Sequence, residues 1–596
     1  MLYSLYKLIE QLLFFMSKDN YSNFSKEDLI EKLEKLESRK KYGLIWDEEK
    51  TKEKFEKDAE NALPVLKELK SKEIKTDNES PTNILIEGDN YHALSVLNFT
   101  HHGKVDVIYI DPPYNTGKND FKYNDKWINE DDSYRHSKWL SFIYKRLTLA
   151  KKLLNENGII FISIDDNEMA QLKLVCDNIF GEKNRLSTHH IQVRYGNKSL
   201  NEKKDFQELL EYVLIYAKNS YNFKANKPTA EYSLNKFNLE IKEIKKPDKS
   251  LEIAGKKVDI FLPGSYSIKK QKEGKIDLFK ETWLSGSIYS GTGHGKTYQK
   301  IVEKRVETDG LKVLYKIYGL GEDGLGYRYM INPQRTGSTR GKMFTKVPTD
   351  KKEKIENGDN EIFKPIINLY DFSPDFGNIS HEGGVSFNSG KKPIKMLKQL
   401  INYHKKNDCI VLDFFAGSGS TAHAVLDLNK EDLGKRSFII CTNNEDNICN
   451  DICYPRVKNI INGYKKNKGL NSNLKYYKTA FVKNSISRDE MKIKITEQCT
   501  EMLCLREGIF EEIKSLKSYK IFKQNDKIMA VYYSLEKDKL DSLKKGLDKL
   551  EGEKVLYCFT LDYLGLDKSD FIGWDDVSLE PIPQKILDVY KDIYEY

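Results

Sequence analysis

The sequence predicts a doubly wound α/β protein, a largely parallel sheet with helices on both faces, carrying one inserted region of different character. Three observations carry that expectation. Short, mostly apolar runs recur and stop at acidic residues, as Val105–Ile110 does before Asp111 and Ile159–Ile164 before Asp165 and Asp166. Stretches with helical spacing of apolar residues alternate with those runs, which is the pattern of successive βαβ units. The alternation breaks off near residue 222 and resumes near residue 376.

Taken in order, residues 1–80 read as a helical region. The first sixteen residues, MLYSLYKLIEQLLFFM, are apolar but interrupted by Lys7 and Glu10. They are too short to span a membrane and lack a cleavage site of small residues, so an amphipathic helix is expected, and Met16 is an alternative start. Residues 17 to about 75 are rich in Lys, Glu and Leu without a sustained heptad, and DNESPT (Asp77–Thr82) has the composition of a linker. Residues 81–221 form the first half of the α/β core. It holds a strand at Ile84–Ile86, a helix around Ala93–Leu97, the strand Val105–Ile110, a helix over Asp132–Leu154 and the strand Ile159–Ile164. Residues 222–375, with Lys-, Gly- and Tyr-rich stretches such as SGSIYSGTGHGKTYQK, are expected to be a β-rich insert. Residues 376–465 complete the core through DCIVLDFFAGSGSTAHAV and RSFIICTNNED, and 466–596 are expected to form a separate α+β domain.

Bulk composition narrows the class. A chain of 596 residues exceeds one ordinary core, and 39% hydrophobic with 32% charged residues suits a globular protein. A net charge of +8 spread over that length only weakly favours an anionic partner. The eight cysteines are scattered; Cys441, Cys449 and Cys453 lie close together, but no second pair or nearby histidine completes a zinc site. No metal is expected, and reduced thiols point to a cytoplasmic protein without membrane association.

Two motifs carry the chemistry. In VDVIYIDPPYNTGKNDF, two prolines end the strand at once, because each lacks an N–H and fixes φ. Asp111 and Tyr114 therefore sit just past a rigid strand terminus. In DCIVLDFFAGSGST, a strand runs into a turn in which Gly417 and Gly419 allow close approach to a ligand, and the helix beginning near Ser420 aims its N–H groups at it. The turn lacks the third glycine of a dinucleotide fingerprint and the Gly-Lys-Thr of a phosphate loop, which argues against an ATPase. The next strand ends near Asn443-Asn444-Glu445, where an acid in a βαβ unit usually accepts from ribose hydroxyls, so the pair of strands suggests a bound nucleoside.

DPPY together with DFFAGSGST resembles the paired signatures of the amino-methylating DNA methyltransferases. Their order here, catalytic motif first, is that of the circularly permuted β class. IEGDNYHAL, YNTGKNDFKYND, SKWLSFIYKRL, GIIFISIDDNE, CTNNEDNIC and YPRVKNIINGY are further similar to the methylation (Mod) subunits of Type III restriction–modification systems. The resemblance implies a Rossmann-like, S-adenosyl-L-methionine-dependent core, with the insert as a target-recognition domain. It implies transfer of a methyl group to the N6 amino group of an adenine flipped out of duplex DNA. It also implies a homodimer and a separate restriction (helicase/nuclease) subunit as partner.

On that reading, Asp111 and the Pro112 carbonyl accept from the amino group, Pro113 stiffens the turn, and Tyr114 stacks on the flipped base. Asp413 would meet the methionyl amino group of the cofactor, with Phe415, Gly417 and Gly419 nearby. Glu445 would meet the ribose, Asp89 the adenine end, and Lys392 in SGKKPIKML belongs to the remaining cofactor-side motif. For Asp89 the alternative is an N-cap on the following helix. Asp165 and Asp166 match a family motif but are assigned no role, and His294 and Arg340 in the insert are assigned none either. The alternatives to a Type III subunit are a solitary adenine methyltransferase, an amino-cytosine methyltransferase, and a non-catalytic DNA-binding subunit that keeps the fold.

Overall fold

The computed structural model describes residues 25, 26, 46, 53, 62–77, 79–124, 126–196, 205–284, 293–359, 361–377, 379–387, 391–483, 487–562 and 565–594. The amphipathic helix expected at residues 1–16 and nearly all of the helical stretch expected from residue 17 to residue 61 lie outside them. The chain forms two compact units, Met1–Asn226 with Ile367–Tyr596, and Lys227–Ile366. The second falls inside the 222–375 read from the sequence.

The first unit is organised by a ten-stranded sheet. Its strands in chain order are β1 (Ala62–Glu68), β2 (Thr82–Glu87), β3 (Val105–Ile110), β4 (Leu154–Ile164), β5 (Arg185–Gln192), β6 (Leu210–Ala217), β7 (Leu369–Asp371), β8 (Ile410–Asp413), β9 (Ser437–Thr442) and β10 (Asn473–Lys483). In space they run β1-β10-β2-β9-β8-β3-β4-β6-β5-β7. The six strands from β10 to β4 are mutually parallel, and β6 runs antiparallel to both of its neighbours. All six residues of β3 are buried, as expected of a central parallel strand covered on both faces. Leu412 lies opposite Ile108 on one side of β3, and Ile160 opposite Ile108 on the other.

Four helices flank this centre: α1 (Asn90–Thr100), α2 (Arg135–Leu153), α3 (Ile394–Ile401) and α4 (Ser420–Asp432). α1 packs on α2, and α3 packs on α4. From β8 the chain crosses through α4 to β9; from β3 it crosses through α2 to β4, in the opposite direction along the sheet. The boundary between β8 and β3 is therefore a topological switch point, where a crevice opens at the carboxyl ends of the strands.

Two expectations are corrected. Residues 62–68, placed in the helical region, form β1. Pro64 removes an N–H and biases Leu63 to extended backbone, and the strand lies at the sheet edge, where a proline is tolerated. The tail is also not detached. β10 enters the main sheet between β1 and β2, and the helices Thr500–Glu507 and Gln584–Tyr594 pack on α1. Met502, Leu503, Ile586 and Tyr590 accordingly share one hydrophobic core with Val96, Leu97 and Phe99. Beyond them the tail carries its own five-stranded sheet, from Glu511–Ser515 to Val577–Ile582.

The second unit is β-rich. Six antiparallel strands form its sheet, in the order Lys249–Ile253, Lys256–Phe261, Leu314–Tyr318, Tyr327–Ile331, Gly341–Thr345 and Lys280–Leu284. The chain enters and leaves it through a two-stranded stem, Thr229–Glu231 against Glu361–Phe363, with Lys364 N donating to Pro228 O at 2.8 Å. All eight cysteines are buried and free. Among the described residues no helix is long and apolar enough to cross a membrane.

Candidate active site

Beyond β3, the turn Asp111–Tyr114 is fixed from both sides. Trp139, fully buried on α2, donates its Nε1–H to the Pro113 carbonyl at 2.7 Å. Asn115 takes a left-handed conformation (φ 57°) and donates its side-chain amide to Glu168 Oε1 at 2.6 Å. His136 Nδ1 lies 2.6 Å from the same oxygen, and burial holds the Glu168 carboxyl above the usual range. No described residue donates to the Pro112 carbonyl.

Four side chains meet at this turn. The Tyr114 hydroxyl lies 3.0 Å from Asp111 Oδ1 and 2.9 Å from Glu211 Oε2, and its single proton serves one carboxylate at a time. Lys392 Nζ donates to the Tyr114 oxygen at 2.7 Å and pairs with Asp111 Oδ1 and Glu211 Oε2, each at 3.1 Å. Its ammonium is 4.9 Å from the centre of the Tyr114 ring, within range of a cation–π attraction. Burial raises the Asp111 carboxyl, Lys392 opposes that rise and Glu211 adds to it. Burial disfavours the Lys392 ammonium, yet Asp111 and Glu211 hold its pKa above the ordinary lysine value. Lys392, expected on the cofactor side, thus sits with the turn Asp111–Tyr114, because a buried ammonium is stable only beside such carboxylates.

The turn after β8 forms part of a neighbouring cavity of about 570 Å³, lined by Asp89, Pro113, Phe415, Gly417 and Glu445 among others. These residues follow the carboxyl ends of four adjacent strands, β2, β9, β8 and β3. The two glycines serve different ends. A Cβ on Gly417 (φ 48°) would meet only the Phe415 carbonyl at 3.9 Å, so this position leaves backbone open to the cavity. A Cβ on Gly419 (φ 79°), the residue before α4, would press on Cys453 Sγ at 3.2 Å. Behind the turn, the fully buried Arg456 donates Nη1 to Ser418 Oγ at 3.0 Å and Ser420 Oγ at 2.8 Å.

Asp413 lies beneath the turn rather than on the cavity wall. It accepts from Phe415 N at 3.0 Å and Thr421 Oγ1 at 2.5 Å, and burial raises its pKa from 3.8 to about 7. Because the folded state binds this proton more tightly than the unfolded chain, the stability it contributes is complete below pH 3.8 and is lost as pH rises through about 7. Asp413→Asn is therefore expected to flatten the pH dependence of stability across that window. Urea midpoints of both proteins, followed from mildly acidic to mildly alkaline pH, check this: the wild type should lose ground to the variant as pH rises.

Asp89 combines both readings of the sequence. Its Oδ1 caps α1 by accepting from Tyr91 N at 2.8 Å, while the side chain also lines the cavity. Arg146 of α2, fully buried, holds this corner. It reaches Asn90 Oδ1 through Nε at 2.5 Å, Glu53 through Nη1 at 3.0 Å and Asp89 through Nη2 at 3.5 Å, with its guanidinium 3.8 Å from the Phe142 ring centre. Asn90 in turn donates to the Phe414 carbonyl at 3.0 Å. At the opposite rim, the half-exposed Glu445 pairs with Lys122 at 3.1 Å. Asp165 accepts from Asn167 and Asp166 from the Tyr212 hydroxyl.

Sequence reasoning missed Glu211 and Arg146. Glu211 lies on β6 outside any motif, and the helical spacing of Asp132–Leu154 does not single out Arg146. The available signal for Arg146 was its place in SKWLSFIYKRL, among the stretches that carry the family resemblance.

The family model described as DNA methylase matches residues 105–454, more than half of the chain. The Type III restriction-modification enzyme StyLTI Mod subunit of Salmonella typhimurium (strain LT2) is 32% identical over 389 residues, which are 61% of this chain and 53% of that protein. The EcoPI Mod subunit of Escherichia phage P1 is 30% identical over 471 residues, 72% of this chain and 68% of the relative. The chain thus spans about half the length of the first relative and about two thirds of the second. A solved cytosine-N4-specific PvuII DNA methyltransferase matches with a TM-score of 0.30 and 11% identity, covering 67% of this chain and 99% of that one. With the matched region running from the first residue of β3, through the glycine turn, α4 and β9, to the first residue of the helix Tyr454–Asn462, the chain belongs to the DNA methylase family.

Proposed function

We propose that this protein transfers a methyl group from S-adenosyl-L-methionine to the N6 amino group of adenine in duplex DNA, as the modification subunit of a Type III restriction–modification enzyme. The observation that carries the reading is the shared wall between the two motifs. Pro113 of DPPY and Gly417 of the glycine turn line one cavity, while Asp111 and Tyr114 cluster at the same strand end. A volume of about 570 Å³ falls within the roughly 300–1,000 Å³ of small-ligand sites.

The residues fit the cofactor. Gly417 leaves backbone open where a side chain would fill the space, Phe415 offers an aromatic wall, and Asp89 and Glu445 place carboxylates after β2 and β9. Asp89 and Glu445 would hold the nucleoside portion, with Phe415 and the glycine turn alongside; Asp413 shapes that turn from below. When bound, S-adenosyl-L-methionine supplies a methyl group made electrophilic by the positive sulfonium.

The chain's own residues prepare the nucleophile. Asp111 and the Pro112 carbonyl accept the two N6 hydrogens, which disfavours delocalisation of the lone pair into the ring and frees it for attack. The Tyr114 ring supports the extruded base, a stacking contribution of about 1–3 kcal/mol, and its anchored hydroxyl keeps the ring from turning. As the N–CH3 bond forms and the S–CH3 bond breaks, leaving a neutral thioether, one N6 proton passes to the Asp111 carboxylate, whose proton affinity burial raises, and from there to solvent. The unit Lys227–Ile366 supplies target recognition, its lysines meeting phosphates that position without specifying. A second copy of the chain and a separate restriction subunit complete the enzyme.

Purified protein with methyl-labelled cofactor and duplex DNA tests this directly. Label should enter DNA and be recovered as N6-methyladenine, and long-read sequencing of a host expressing the chain should show one modified motif. Recovery of N4-methylcytosine would reassign the base, and no label in DNA would overturn the activity.

A further inference from the structure

Resting on that reading, we propose that Glu211 is a positioning residue that takes up the Lys392 ammonium when the target amino group arrives at Asp111. An ammonium carries three N–H donors. Lys392 directs them at three acceptors, Tyr114 Oη at 2.7 Å and Asp111 Oδ1 and Glu211 Oε2 at 3.1 Å each. One of those acceptors is the carboxylate that the adenine amino group requires. Before DNA binds, Lys392 therefore occupies the place of the substrate on Asp111.

The incoming N–H must displace one of these bonds, and a buried ammonium that loses its counter-charge is strongly disfavoured. Glu211 answers that need. It lies on β6, at the same distance from Lys392 as Asp111 does, and among the described residues its side chain bonds only Tyr114 and Lys392. A shift of the ammonium onto Glu211 frees Asp111 without leaving charge unmatched, and the Tyr114 hydroxyl can turn its proton from one carboxylate to the other. Asp111 binds the amino group; Glu211 acts through Lys392.

Charge, rather than shape, is what this role demands, so Glu211→Gln is the informative change. Single-turnover transfer should slow by about tenfold or more, while equilibrium binding of cofactor stays at the wild-type value. In a Lys392→Met background the same change should cost less than about twofold, because no ammonium is left to accommodate. Unstacking at the target, read by 2-aminopurine placed beside the target adenine, should weaken in Glu211→Gln and recover in the double variant; it serves where Lys392→Met transfers too slowly to time. Wild-type rates and unstacking in Glu211→Gln, or losses that simply multiply in the double variant, would overturn the role while leaving the activity standing. A wild-type protein that transfers no methyl group would overturn the activity and this role with it.

Discussion

Asp111→Ala is expected to abolish methyl transfer, by about a thousandfold or more, while cofactor binding measured by calorimetry is retained. On the proposed mechanism the carboxylate would act where charge develops on the N6 nitrogen, and removing such a preorganised group costs far more than a surface contact. Binding should survive because the cavity is walled by Asp89, Phe415, Gly417 and Glu445, and Asp111 is not among its lining residues. Folding should survive as well, since Lys392 keeps Glu211 at 3.1 Å as its counter-charge. Asp111→Asn keeps one acceptor oxygen and should fall between wild type and alanine. Transfer by Asp111→Ala within tenfold of wild type would move the chemistry to another residue.

The second large effect is structural. Arg146→Leu takes from the Glu53 carboxylate, which is buried and raised by that burial, the main charge opposing the rise. Breaking a buried pair from one side typically costs about 3–5 kcal/mol, and the Asp89 contact adds little, because that side chain is 44% exposed. Urea denaturation should therefore show a marked loss of stability, and adding Glu53→Gln should recover part of it. Cofactor affinity should fall together with stability in Arg146→Leu, because Arg146 also fixes Asn90, which holds the Phe414 carbonyl of the glycine turn. Arg146→Lys keeps the charge but not the fork, and should restore stability more than affinity. Wild-type denaturation midpoints in Arg146→Leu would remove the network from the account.

The parts of this molecule that were legible in the sequence are those written in consecutive residues. β3 and β8 announce themselves as largely apolar runs ending at acids because both faces of a central parallel strand are covered. DPPY is legible because two prolines can only end such a strand, and the glycine turn because its spacing leaves backbone bare at Gly417. What was not legible depends on partners far along the chain. β1 lies at the end of a Lys- and Glu-rich stretch that reads as helical, and its strand state rests on pairing with β10, as in Leu66 opposite Thr479. β10 looked like the start of a separate tail for the same reason. Lys392 was assigned by its motif, but its position follows from two carboxylates on β6 and after β3, and Glu211 has no local pattern to mark it. Asp413 was legible as a strand-end acid but not as a buried one, since its burial comes from the turn that folds back over it.

The paired stem at Pro228–Glu231 and Glu361–Lys364 has a consequence for how such an enzyme changes its target. Entry and exit of the inserted unit are hydrogen-bonded neighbours, so everything between them forms a cassette closed at its base. Recombination at those two short sites would exchange the unit to which target recognition is assigned above while leaving the DPPY turn, the glycine turn and their supporting arginines untouched. On the proposed reading, specificity and chemistry would then be carried by separable segments of one chain.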